Sequence, residues 1–218
     1  MTSTTLPSRV LSWDEPTGIN PRGTLIVLTG RGESPAVYER FGRRLANDAY
    51  RVRVIETRLD DLVATRAEVE AQLDGAVAPH VLVGSDAGAA FAAQLAHALD
   101  ADALVLAGLT VAALTGDELE ARTACPAHRA RLAETSALGH LADEVPEALR
   151  DVRPPAVPTL VIHGAADPVS PPPQLPGAET VTIAGGRHDI LNDVTHRTVA
   201  ATIVLFLERL RHGADIVV

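Results

Sequence analysis

The sequence predicts an α/β protein built on a doubly wound, mostly parallel β-sheet. Short apolar segments of β-type composition alternate with helical patterns along most of the chain, an alternation that favours right-handed crossovers. Several of these segments are almost continuously apolar, as expected of strands covered on both faces. With 218 residues, the chain fits one domain, 1–218, large enough to bury about 70% of its unfolded surface.

The elements follow one another in a regular order. Six segments are predicted as strands: Thr24–Leu28, Arg51–Glu56, His80–Gly84, Ala103–Ala107, Thr159–His163 and Thr180–Ala184. Helical patterns fill most of the gaps: Ser34–Tyr50, Leu62–Leu73, Gly88–Leu99 and Arg197–Leu210. The segment from about 109 to 150 is rich in Ala, Glu, Arg and Leu without a strand pattern, and predicts a small helical lid inserted between two core strands.

Composition narrows the possible partners and the location. A net charge of −9 argues against nucleic acid, since phosphate binding needs clustered Lys and Arg. The single cysteine, Cys125, excludes an internal disulfide and indicates a reducing compartment. The first ten residues lack the apolar core of a signal peptide, and no apolar run is long enough to span a membrane. We therefore expect a cytoplasmic protein acting on a small molecule. No spacing typical of metal ligands indicates a metal or cofactor, and the oligomeric state is not predicted.

A turn after the third predicted strand is the first candidate site. The stretch VLVGSDAGAAFAAQLA, residues 81–96, places Asp86 between Gly84 and Gly88, at the tip of a sharp strand-to-helix turn. The dipole of the following helix favours an ionised carboxylate there. The alternative is that Asp86 merely caps this helix.

Two further candidates follow later strands, at the sheet edge where ligands bind in such folds. Asp167 lies a few residues after the Thr159 strand and can orient a histidine, although Asp-Pro is also a common turn start. His188 follows two glycines after the Thr180 strand, and imidazole is the natural proton carrier near neutral pH. The alternative for His188 is an incidental residue beside a helix cap. His97, His128, His140 and His196 are interpreted as helix-surface residues.

Together these residues have the order nucleophile, acid, histidine, which is the order of α/β-hydrolases. The chain resembles α/β-hydrolase-fold proteins over nearly its whole length, and most of all the compact lysophospholipase and monoacylglycerol-lipase-like hydrolases. The closing GGRHDILNDVTHRTVAATIVLFLERL is similar to their histidine-plus-final-helix signature. The resemblance implies a catalytic triad of Asp86, His188 and Asp167, with aspartate where these hydrolases have serine.

The resemblance also assigns an oxyanion hole to the loop after the first predicted strand, LTGRGESP. Gly30 and Gly32 match the glycines of the family's loop, and the implied donors are the backbone amides of Arg31 and Ala87. The Arg31 side chain, like that of Arg187, offers a site for a substrate carboxylate or phosphate. A solvated arginine is the default expectation at both positions.

An aspartate nucleophile suits displacement at an sp³ carbon, giving an alkyl ester that His188 helps water to hydrolyse. Haloalkane dehalogenases and epoxide hydrolases of this fold work in that way, yet the chain departs from both. Ala87 stands where those dehalogenases have a halide-binding tryptophan, and the only tryptophan is Trp13. No tyrosine lies in the lid, since Tyr38 and Tyr50 precede the turn.

Three alternatives stay open. Ser85 is a candidate nucleophile or substrate-binding residue, although it lies one place before the tip. Asp86 as a general base would permit a lyase or isomerase reaction without a covalent intermediate. A non-catalytic protein that kept the fold would use the pocket to bind a ligand or partner.

Overall fold

A single seven-stranded sheet organises the chain in the computed structural model, which describes residues 10–135, 137–153, 156–213 and 215. The spatial order is β1-β3-β2-β4-β5-β6-β7, with β1 antiparallel to β3 and the other pairs parallel. The strands are β1 Leu11–Trp13, β2 Thr24–Leu28, β3 Arg51–Ile55, β4 His80–Ser85, β5 Ala103–Ala107, β6 Thr159–Gly164 and β7 Glu179–Ile183.

Helices cover both faces of this sheet. They are α1 Glu39–Asn47, α2 Leu62–Leu73, α3 Ala87–Ala96, α4 Glu118–Arg122, α5 Pro126–Glu134 and α6 His196–His212. One face packs against α1 and α6, whose core positions include Phe41 and Ile203. The opposite face packs against α2 and α3, which contribute Val69 and Phe91. The predicted doubly wound architecture is confirmed.

The central strands are apolar throughout because both of their faces are covered. In β2, Leu25 and Val27 point into the α1–α6 core, whereas Ile26 and Leu28 point into the α2–α3 core. This is the two-residue alternation of a strand applied to two apolar environments. A strand covered on both faces has no polar side, so its sequence is a continuous apolar run, and that run predicts the strand.

All six predicted strands are present, but β1 was missed. It has three residues, too few to show a period, and it adds to the edge of the sheet as its antiparallel member. Its Trp13 ring packs onto α1 where Gly42 leaves room, since a Cβ there would lie 2.3 Å from the ring. β1 is therefore fixed by a tertiary contact that local sequence patterns do not reveal.

The segment expected to form a lid joins β5 to β6. It contains α4, α5 and a short 3-10 helix, Glu147–Leu149, connected by irregular chain. Three positions in and after it (Ser136, Pro154 and Pro155) lie outside the described residues. Within the described part of the chain, no helix has the length and apolar character needed to cross a membrane.

Candidate active site

Asp86 lies at the tip of a strained turn between β4 and α3. Its backbone has φ 53° and ψ −126°, a conformation that residues with a side chain rarely adopt. The turn closes only because its neighbours are glycines. A Cβ on Gly84 would lie 2.4 Å from the Cα of Ala89, and one on Gly88 would lie 2.3 Å from the Thr29 carbonyl oxygen. The side chain of Asp86 forms no cap to α3, so the capping alternative is wrong.

The three predicted side chains meet at the carboxyl end of the sheet. The Nε2 atom of His188 is 3.2 Å from Oδ1 of Asp86, and its Nδ1 atom is 2.9 Å from Oδ2 of Asp167. Both partners are carboxylates, which only accept hydrogen bonds. Each ring nitrogen therefore carries a hydrogen, and the geometry corresponds to an imidazolium between two anions.

Arg31 is the fourth member of the cluster. Its guanidinium donates to both carboxylate oxygens of Asp86, from Nη2 to Oδ1 at 2.8 Å and from Nε to Oδ2 at 2.9 Å. Its backbone N–H also donates to Oδ2, at 2.8 Å. The expectation of a solvated Arg31 side chain is wrong, because the residue is only 2% exposed. The bidentate pairing with Asp86 and the cover of the lid remove it from water.

Burial and pairing compete in setting the charges of this cluster. Burial alone would raise the pKa of Asp86, but hydrogen bonds from His188 and Arg31 outweigh it and hold that pKa far below its ordinary value. Burial alone would lower the pKa of His188, whereas hydrogen bonds to Asp167 and Asp86 raise it to about 10. The resting cluster thus contains two anions and two cations and is electrically balanced.

His163 supports Asp167 from beneath, a role not predicted from the sequence. Its Nε2 atom lies 3.1 Å from Oδ2 of Asp167 and 2.9 Å from the carbonyl oxygen of Ser170. Hydrogen bonds from His163 and His188 lower the pKa of Asp167, although burial opposes them. The signal in the sequence was His163 at the end of a strand, four residues before the acid.

The lid closes over the cluster through Arg31. The guanidinium donates from Nη1 to the carbonyl oxygens of Leu141 and Asp143, at 3.0 and 2.6 Å, and from Nη2 to that of Ala112, at 3.0 Å. Asp86 is only 1% exposed. The segment from 109 to 150 and Arg31 therefore separate Asp86 from solvent in the described structure.

A second buried polar cluster fixes the lid to the histidine loop. Arg122 of α4, which is fully buried, donates to the carbonyl oxygen of Arg31 at 2.7 Å and lies 3.4 Å from Glu33 and 3.3 Å from Asp189. His128 of α5 binds the same Asp189 at 2.8 Å. His128 is 3% exposed, so its interpretation as a surface residue is wrong. Arg122 and His128 were missed because only the tertiary fold brings the lid to this loop.

Glu33, His128 and Asp189 are also the residues that could hold a metal ion. One potential ligand atom of each lies within 4.8 Å of the others. The Arg122 guanidinium, however, already contacts both carboxylates and supplies the positive charge that a cation would bring. Burial raises the pKa of Glu33 to about 7, with the nearby Asp189 carboxylate adding to the effect. The Tyr38 hydroxyl donates to Glu33, so this cluster has internal partners.

The side chains of the remaining predicted site residues form no hydrogen bond with Asp86, His188 or Asp167 in the described part of the chain. Ser85 is the last residue of β4, with its backbone paired to Ala107, so it lies in the strand and not at the tip. Ala87 begins α3 directly after the tip. The N–H of Gly30 donates to Oε2 of Glu33 at 3.0 Å. Arg187, also expected to be solvated, is half-buried and pairs with Glu120 of the lid at 2.7 Å.

Comparison with known proteins identifies the fold. Yeast (Saccharomyces cerevisiae) monoglyceride lipase, solved with a substrate analogue, is similar with a TM-score of 0.68 at 14% identity, covering 96% of each chain. A putative non-heme bromoperoxidase, BpoC of Mycobacterium tuberculosis, also gives 0.68 at 14% identity, covering 95% of this chain and 97% of its own. The type II thioesterase YbtT gives 0.64 at 16% identity, with 92% and 98% covered.

These similarities show that the chain has the α/β-hydrolase fold. No protein-family model matches the sequence, and neither does any curated protein. At such low identity the reaction does not transfer with the fold, and the three similar proteins are named for different activities.

Proposed function

We propose that this α/β-hydrolase-fold chain is a hydrolase of small, moderately apolar molecules in which Asp86 is the nucleophile. The observation that carries the proposal is the contact of His188 with both Asp86 and Asp167, at the tip of a strained turn. Backbone strain of about 1–3 kcal/mol persists only where the surrounding structure enforces it, and it concentrates at functional sites.

In the first step, one carboxylate oxygen of Asp86 attacks an sp³ carbon, and the leaving group departs with the bonding electron pair. The product on the enzyme is an alkyl ester of Asp86. Before attack, lid opening must draw Arg31 away from the carboxylate, because its guanidinium occupies both oxygens. Once displaced toward the lid, Arg31 offers a cation to the departing anion. Arg31 would then bind the leaving anion, as a tryptophan does in the dehalogenases. That tryptophan occupies the position at which this chain has Ala87.

Esterification also converts His188 from an acid into a base. The Asp86 charge is one of the two that hold the His188 pKa at about 10. Forming the ester removes that charge, so His188 releases its proton to solvent and becomes a neutral imidazole oriented by Asp167. It then accepts a proton from the water that attacks the ester carbonyl, and later returns a proton to the departing alcohol. The backbone amides of Arg31 and Ala87 are the proposed donors to the transient oxyanion.

The same electrostatics disfavour Asp86 as a general base. Hydrogen bonds from His188 and Arg31 hold the pKa of Asp86 far below its ordinary value, and the His188 contact remains when Arg31 moves, so Asp86 is a weak proton acceptor. The lyase or isomerase alternative requires that proton transfer as its first step. Asp86 is therefore assigned to covalent attack, whereas Ser85 is a buried residue at the end of β4.

One observation favours a second candidate, a non-catalytic ligand-binding protein. Arg31 and His188 engage both oxygens of Asp86, and the cluster is sealed from solvent. In that case the charges of Asp86, Asp167, Arg31 and His188 serve only to hold the lid closed. Ligand affinity would then survive replacement of both His188 and Asp167.

The test is a screen of halogenated, epoxide and ester compounds followed by isotope labelling. Wild type should turn over one class, and Asp86→Asn should not. The His188→Gln variant should accumulate an adduct on the peptide containing Asp86, seen by mass spectrometry. For the compound turned over, a single turnover in H₂¹⁸O should place the label in the Asp86 carboxylate. Label in the product alone would show that Asp86 acts as a base, and no turnover with retained ligand binding would favour the non-catalytic protein.

Location and partners remain proposals from composition. The net charge of −9 supports a small-molecule substrate and no nucleic-acid partner. The lone cysteine supports a cytoplasmic location.

A further inference from the structure

A cavity lies outside the Asp86 cluster, between α1 and α5. Its volume is about 370 Å³, within the range of small-molecule sites. Basic side chains stand on both walls, with Arg40 and Arg43 on α1 and Arg131 on α5. The remaining lining consists of small apolar residues, one acid, one imidazole and one amide: Ala36, Val37, Ala127, Glu39, His128 and Asn192. We refer to this cavity as the arginine cleft.

The positive charge of the arginine cleft is not balanced by its own acids. Glu39 pairs with both Arg43 and Arg131, at 3.0 Å each. Arg40 forms no ion pair with a carboxylate among the described residues. Its hydrogen bonds go to the Sγ atom of Cys125, at 3.6 Å, and to the backbone carbonyl of Asn192. Three arginines and a single carboxylate line the cleft, so its lining is positively charged in a chain whose net charge is −9.

A neighbouring histidine reports the same positive potential. Partial burial, followed by the charges of Arg40, Arg44 and Arg197, lowers the pKa of His196 to about 4. Positive potential in a concave site raises the local concentration of anions. The charge distribution of the cleft therefore favours an anionic occupant.

Asn192 provides an independent sign of a missing partner. The residue is 2% exposed, and its Oδ1 atom is buried without a hydrogen-bond partner. Buried polar atoms are nearly always bonded, and leaving one unpaired costs about 1–3 kcal/mol. A half-turn of the amide would bring its NH₂ group to the same place, and a side-chain shift that uncovers it toward the cleft would let it donate to an oxyanion.

We propose that the arginine cleft binds a small organic oxyanion, with Arg40 as its principal cation and Asn192 as its neutral hydrogen-bonding partner. Arg43 and Arg131 complete the charged rim, and the alanine and valine side chains contact a short carbon body. A phosphate monoester and a hydroxylated carboxylate share this chemistry. The site is separate from the proposed nucleophile, and its occupancy does not depend on what Asp86 does.

Isothermal titration with inorganic phosphate and with malate, in a neutral amine buffer at fixed chloride, tests this. Wild type should bind at least one probe at a single site, and the probe that binds identifies the class. Arg40→Gln should weaken binding at least tenfold. Arg43→Gln, at a position two-thirds exposed and safe for folding, should also weaken it. Arg66→Gln on α2, which is absent from the lining of the cleft, removes the same charge and should leave affinity within twofold.

Two results would overturn the proposal. One is that neither probe binds wild type at concentrations up to about ten millimolar, a weak limit on the affinity scale. The other is equal affinity in wild type, Arg40→Gln and Arg43→Gln, which would place any bound anion elsewhere.

Discussion

The Arg31–Asp86 ion pair is the feature that most distinguishes this site at the scale of single residues. Arg31 satisfies both oxygens of the carboxylate and at the same time three carbonyl groups of the lid. A buried ion pair contributes little net stability compared with an apolar core, yet breaking one is costly because an uncompensated charge is left behind.

A double-mutant cycle measures this coupling. Arg31→Met and Asp86→Asn should each lower the free energy of unfolding by about 3–5 kcal/mol, because each strands a buried charge. The double variant should lose clearly less than the sum, with a coupling of about 1–3 kcal/mol. Urea denaturation provides the values. Arg66→Met, which breaks the exposed pair with Glu70, is the control and should cost about 0.5 kcal/mol or less. Additive losses at Arg31 and Asp86 would show that the pair is not coupled.

The sequence predicts the place of a site residue where a backbone constraint marks it. Two flanking glycines indicate a tight turn with Asp86 at its tip. Two preceding glycines and a following helix indicate a site on the loop for His188. No such sequence pattern marks the Arg31 side chain as buried. Its burial depends on lid carbonyls more than 80 positions away in sequence, and carbonyl groups carry no sequence signature.

At the scale of elements, the β4–α3 turn holds Asp86, the proposed nucleophile. Gly84 lies in β4 with the backbone of α3 against it, so any side chain there separates the strand from the helix. Strand and helix positions followed from apolar periodicity, since both are buried along whole faces. The lid helices α4 and α5 are short and mostly polar, so sequence patterns predicted the segment but not which of its residues turn inward.

Gly84→Ala should damage the turn itself. The added methyl would lie 2.4 Å from the Ala89 Cα and from the Gly88 carbonyl oxygen, and we expect a loss of about 3 kcal/mol or more. Gly75→Ala is the control, because its φ is +67° but no atom lies within 4 Å. That change should cost only the strain of a left-handed residue, about 1–2 kcal/mol. Thermal unfolding of both variants is the measurement, and equal losses would contradict the tight packing of the turn.

At the scale of the whole molecule, the buried charges predict how stability depends on pH. His188 has its pKa raised from 6.5 to about 10, so its contribution is complete below pH 6.5 and is lost as the pH rises toward 10. Asp86 and Asp167 have lowered pKa values, so their contribution is present above pH 4 and is lost on acidification. The pKa of Glu33 is raised from 4.5 to about 7. Stability is therefore also lost as the pH rises between those two values.

Below pH 6.5 the lowered pKa of His196 opposes the effect of Glu33, but unfolding free energies measured from pH 6.5 to 9.5 should fall continuously toward the alkaline end. Replacing His188 with Gln should flatten the part above about pH 8, where Glu33 is mostly ionised, and leave the part between pH 6.5 and 8 sloping. The same alkaline slope in wild type and His188→Gln would assign the effect to another group.

The balanced cluster of Asp86, Arg31, His188 and Asp167 links these scales, because the charge on Asp86 sets the protonation state of His188. The most direct test is the ¹⁵N chemical shift of the His188 ring followed from pH 5 to 11, in wild type and in Asp86→Asn, which imitates the uncharged ester. We predict that wild-type His188 stays doubly protonated through pH 8 and that its pKa falls by several units in the variant. A neutral ring in wild type at pH 7, or the same pKa in both proteins, would contradict the account.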